Sequence, residues 1–142
     1  MVSVGRSLGT LAHTMRIGQD DNFLSIELSP LDGGYSAFRA EAVATASGRR
    51  FTASHDRLMM DTDEATLQRF SDFETLKSEQ MEIPLTEGGW LRFQRDSHGY
   101  ITLRYRIGGW KASAALEGEV VVEGEFAGGF CRDFGALLRG KR

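Results

Sequence analysis

The residues of this chain best suited to chemistry are three histidines, His13, His55 and His98, and one cysteine, Cys131. Imidazole and thiolate groups hold zinc when their spacing lets them converge on one ion. No such spacing relates these residues, so no metal ligand is expected among them. The run Ser54-His55-Asp56 contains the residue types of a nucleophilic triad. Neighbours on a strand point to opposite faces, whereas a triad needs convergent side chains, so the run is expected to be plain strand. The pair His55-Asp56 shows no further ligands around it. His98 falls in Asp96-Ser97-His98-Gly99, a hairpin loop closed by glycine. Cys131 shares a helical face with Phe134 and Leu138, which predicts a buried, inert thiol. Asp20-Asp21 could meet a cation, but without a ligand loop the two are expected to be solvated turn charges. Gly128-Gly129 opens a helix, and no phosphate-loop pattern accompanies it. The expectation is a noncatalytic chain with no catalytic residue, no metal and no cofactor.

A second chemistry lies in charge. Over residues 116–126 the even positions are Leu116, Gly118, Val120, Val122, Gly124 and Phe126, and the odd positions include Glu117, Glu119, Glu123 and Glu125. Alternation of period two predicts a half-buried strand with its carboxylates outward. Arg92, Arg104 and Arg106 occupy outward positions on earlier strands. If these strands are neighbours, acids and arginines pair across the sheet. If the carboxylates outnumber reachable arginines, the face is free to dock a partner, with Glu117, Glu119, Glu123 and Glu125 as partner-binding residues. An alternative site is a small-molecule pocket between sheet and helices, lined by Trp90, Tyr105 and Trp110.

The elements that position these groups follow from patterning. Residues 23–29, 36–46 and 51–57 alternate, with turns at Pro30-Leu31-Asp32-Gly33-Gly34 and Ser47-Gly48-Arg49. Asp61 with Glu64 suggests a capping box, and Leu67, Phe70, Phe73 and Leu76 predict a helix over 63–78. Short strands follow at 81–85, 90–95, 100–107 and 110–115, then the acidic strand to Phe126 and a helix carrying Phe130, Cys131, Phe134, Leu137 and Leu138. The fold class is α+β: an antiparallel meander of about seven or eight strands, one helix between its halves and one at the C-terminus.

Bulk properties agree with one globular domain. The chain has 142 residues, 41% hydrophobic and 26% charged, with net charge −3. A mildly acidic body disfavours nonspecific nucleic-acid binding, so no nucleic-acid partner is expected. No run approaches the length of a membrane span, so no membrane partner is expected. One cysteine excludes an internal disulfide and agrees with a cytoplasmic location. Residues 1–15 are expected to be a disordered leader, 16–139 the domain and 140–142 a basic tail. A homodimer is compatible with the sequence, although no heptad or long apolar stripe calls for one.

The second half resembles the WapI-type bacterial immunity proteins and a related actinobacterial domain of unknown function. The residues that carry the resemblance are Leu91-Arg92-Phe93, Asp96-Ser97-His98-Gly99, Tyr100-Ile101-Thr102-Leu103-Arg104-Tyr105, Trp110-Lys111-Ala112 and residues 120–138, with Arg16-Ile17-Gly18 and the helix near Leu67 upstream. The acidic strand is richer in glutamate than that pattern. The resemblance implies a cytoplasmic bacterial protein that neutralises a cognate toxin by binding it. It carries no catalytic residues.

Overall fold

The computed structural model describes residues 2–6, 13–19, 21–30, 35–85, 88–108 and 115–139. The class is α+β, as the patterning predicts, with two antiparallel sheets and two helices. The first sheet runs in chain order through β1 (Val2–Arg6), β2 (His13–Gln19), β3 (Asn22–Pro30), β4 (Tyr35–Ala46) and β5 (Arg49–Asp61). After α1 (Glu64–Glu74), the second sheet runs through β6 (Gln80–Pro84), β7 (Trp90–Arg95), β8 (Ile101–Gly108) and β9 (Ala115–Val122). The chain ends in α2 (Gly124–Arg139).

The inner faces of both sheets and one face of each helix form a single core. Met15, Ile17, Leu24, Ile26, Ala40 and Ala42 come from the first sheet; Ile83, Leu91, Phe93, Ile101, Leu103 and Val120 are among those from the second. At one end of the core the rings of Phe70, Phe73, Phe93, Phe130 and Phe134 meet. Phe93 and Phe134 lie 5.0 Å apart edge to face, and Phe70 and Phe134 lie 5.4 Å apart. Gly135 of α2 faces Phe70 of α1, where a Cβ would stand 3.4 Å from Phe70 Cε2, an ordinary contact. Arg95 ties β7 to α1. Its guanidinium donates to the Phe73 carbonyl at 2.8 Å and stacks on the Phe73 ring. A cation beside the last carbonyls of a helix also opposes the negative end of its dipole.

Several expectations change. The segment expected to be a disordered leader contains β1 and the start of β2, paired in register from Val2↔Ile17 to Arg6↔His13. Met15 and Ile17 are fully buried. Nine strands therefore occur among the described residues, in two sheets rather than one continuous meander. Trp110, and with it nearly all of the strand expected over 110–115, lies outside the described residues; Ala115 already belongs to β9. The tail at 140–142 also lies outside them.

The first helix starts within a residue of the expected position, but its cap differs and it ends earlier, at Glu74 rather than near 78. Asp61 ends β5, and Asp63 is the N-cap, accepting from Thr66 N–H at 2.9 Å. This bond holds the Asp63 carboxyl below its ordinary range. A lowered folded-state value means that its contribution is complete above the unfolded carboxyl range and is lost as pH falls through the folded value. Asp63→Ala is therefore expected to lower the melting temperature at neutral pH. The gap to the natural chain should close as pH drops below the carboxyl range, read by circular-dichroism melts across pH.

Candidate functional site

The outer face of the second sheet carries the charge. Its register brings side chains into transverse rows, because residues directly opposite on antiparallel strands share a face. Pairing sets Pro84 opposite Trp90, Trp90 opposite Arg106, and Arg106 opposite Glu117. The next row runs Glu82, Arg92, Arg104, Glu119. The third runs Gln80, Gln94, Thr102, Val121. Every second residue of these strands turns inward to the core, so the face is held by a fixed pleat rather than by loops.

The acids and arginines meet across it. Arg104 Nε lies 3.2 Å from Glu119 Oε2. Arg106 pairs with Glu117, and Arg92 with Glu82. The Arg92 guanidinium also sits 3.7 Å above the Trp90 ring, a cation–π stack on a half-buried indole. Between the second and third rows is a hollow of about 400 Å³ lined by Gln80, Glu82, Arg92, Gln94, Thr102 and Arg104. Exposed ion pairs contribute at most about 1 kcal/mol each. Their larger effect is to fix long side chains in a defined array.

This geometry redraws the acidic ladder. Glu117 and Glu119 lie on the face, each paired with an arginine. Glu123 and Glu125 do not share it. Val122 pairs with Ile101, the first residue of β8, so β9 has no neighbour beyond that rung. The chain turns at once into α2, with Phe126 N–H donating to the Glu123 carbonyl at 2.9 Å. Glu125 then falls in the first helical turn, where a carboxylate suits the positive end of the dipole. Among the described residues neither Glu123 nor Glu125 forms an ion pair.

The pocket-lining set does not come together. Trp90 is on the outer face, whereas Tyr105 is fully buried on the inner one. Its ring packs on Gly118, its cross-strand partner. Among the described residues the Tyr105 hydroxyl has no hydrogen-bond partner, and burial pushes its pKa up. An unsatisfied buried hydroxyl costs free energy. Tyr105→Phe is therefore expected to raise unfolding stability by about 1 kcal/mol, measured by urea titration.

The remaining candidates lie on other elements. Cys131 is buried, and burial raises its pKa; Arg95 beside the sulfur, at 3.7 Å, opposes that rise. His98 is exposed in the β7–β8 hairpin, its N–H donating to Asp96 Oδ1 at 2.8 Å. His55 takes its register opposite Ala40 in the β4–β5 pair. Among the described residues no three His, Cys, Asp or Glu side chains gather where a metal could sit, and no helix is long and apolar enough to cross a membrane.

The Trp90–Arg92 stack is the feature that sequence reasoning missed. The signal was present: Trp90 and Arg92 are two apart on one strand and so share a face. Comparison with known proteins finds no matching family model, no matching curated protein and no matching solved structure.

Proposed function

We propose that this chain is a noncatalytic protein-binding domain whose outer face on the second sheet docks onto a partner protein. The observation that carries this reading is the Trp90–Arg92 stack set in an ordered array of charges on a rigid pleat. Tryptophan and arginine dominate the energetics of protein interfaces, because each buries much area at modest entropic cost. The face carries Glu82, Glu117 and Glu119 against Arg92, Arg104 and Arg106, so its charges balance. Balanced, alternating charge sets register and rejects wrong partners. It does not suit a polyanion, which needs an excess of cations.

The partner in this reading is a cognate toxin, blocked by occlusion, and the protein works in the bacterial cytoplasm. The resemblance to WapI-type immunity proteins supports that choice. The small-molecule alternative loses support, since phenylalanine rings occupy the space between the second sheet and the helices. The test is co-expression with the product of the neighbouring gene. Copurification together with rescue of growth is the expected result. A toxic neighbour that is neither bound nor neutralised overturns the immunity reading.

A further inference from the structure

The β4–β5 hairpin outgrows its sheet. The last rung between β3 and β4 is Phe23↔Val43, yet β4 and β5 continue to pair through Ala44↔Phe51, Thr45↔Arg50 and Ala46↔Arg49. The turn is Ser47-Gly48, with φ of 53° and 73°, the positive pair that a tight two-residue hairpin needs. Residues 45–52 are exposed on both faces. A two-stranded ribbon beyond the end of its sheet is an arm, and such ribbons gain little stability alone.

The arm is not polar as an idle ribbon would be. Ala42 is fully buried, and the same face continues outward through Ala44, Ala46 and Phe51. Phe51 is 48% exposed. Arg49 shares that face and Arg50 lies on the other; among the described residues neither forms an ion pair. The tip thus offers an aromatic ring beside two uncompensated cations, on a chain whose net charge is −3.

At the root of the arm lies its chemical complement. An open hollow of about 850 Å³ is lined by Gly18, Asp21, Asn22, Glu119 and Val121. Asn22 is the residue before Phe23, whose rung with Val43 ends the sheet, so hollow and arm sit at the same end of the molecule. Val121 is 47% exposed. Asp21 and Glu123 are exposed and, among the described residues, form no ion pair. Asp21 and Glu119 stand here with the exposed Val121, as Arg49 stands with the exposed Phe51 on the arm.

We propose that two copies of this chain form a closed two-fold dimer by exchanging arms, each arm placing Phe51 and Arg49 in the other copy's Asp21–Val121 hollow. An extended arm cannot reach the hollow at its own root. A two-fold axis needs donor and acceptor surfaces at one end of the molecule, and both are there. The contact forms twice, which doubles its free energy without any new surface. The hollow shares Glu119 and Val121 with the β9 edge of the outer face, two strands away from the Trp90–Arg92 stack on β7, so the stack itself takes no part in the dimer contact.

Charge exchange tests this on the full chain. One variant carries Arg49→Glu and Arg50→Glu; the other carries Asp21→Lys. All three positions are exposed, and unchanged circular-dichroism melts will verify folding. Sedimentation equilibrium should find the natural chain dimeric, and each variant alone weakened at least about tenfold in dimer affinity. Mixing the two should restore association to near the natural level. In the mixed dimer one contact has the original charges and the other has both charges reversed. Phe51→Ser should also dissociate the natural dimer. A natural chain that stays monomeric at roughly 100 μM overturns the proposal. So do variants that dimerise as the natural chain does, a mixture that fails to recover, or open-ended polymers that grow with concentration.

Discussion

Phe93→Ala is expected to cost about 3–5 kcal/mol of unfolding stability. Phe93 lies at the junction of four other rings, with centroids 5.9 Å from Phe70, 5.9 Å from Phe73, 6.1 Å from Phe130 and 5.0 Å from Phe134. Those rings belong to α1 and α2, so this one side chain connects both helices to the second sheet. Removing it takes away its own burial and leaves a void that rigid neighbours cannot fill. A domain of this size has about 5–15 kcal/mol in total, so the loss is a large part of the whole. Urea unfolding followed by tryptophan fluorescence will measure it. The midpoint should fall with little change in slope, because the same surface is exposed on unfolding. A loss below about 1 kcal/mol would show that the helices are not held through this cluster.

Gly118→Ala is expected to cost about 2 kcal/mol, although alanine is the smallest change available. Gly118 is not required for an unusual backbone angle. Its place is set by Tyr105, which lies across it: a Cβ at 118 would stand 2.7 Å from Tyr105 Cζ and closer still to the hydroxyl. The tyrosine is fully buried, so any shift of its ring disturbs the core around it. The cost should therefore depend on the ring. In a Tyr105→Leu background Gly118→Ala should become nearly neutral, and a double-mutant cycle will give the coupling directly. Equal costs in both backgrounds would mean that the glycine acts through the backbone of β9 instead.

Much of the fold was legible because burial imposes its period on the sequence. Ile101, Leu103, Tyr105 and Ile107 alternate cleanly and are all buried. The charge pairing of Arg104 and Arg106 with Glu119 and Glu117 was legible too, once the strands were taken as neighbours. What failed did so for identifiable reasons. Met15 and Ile17 are the buried positions described in β2, followed by Gly18, too short an alternation to announce a strand. The strand–helix boundary at Val122 was hidden because Gly124 and Phe126 carry the period of two past the last rung. Type alone does not say which face Trp90 occupies, and its rung with Arg106 places it on the outer one rather than in a pocket. The arm was invisible because nothing in residues 44–53 marks where β3 stops.

Docking through the Trp90–Arg92 face makes one demand of the two side chains: their loss must weaken the partner's grip. The most direct measurement is the affinity for the neighbouring gene's product of a Trp90→Ala, Arg92→Ala double variant, beside a Glu123→Gln, Glu125→Gln control. Docking on the outer face predicts at least about a hundredfold loss for the double variant, with the fold intact and the control unchanged. A double variant that binds as tightly as the natural chain, or a control that loses binding in its place, would contradict it.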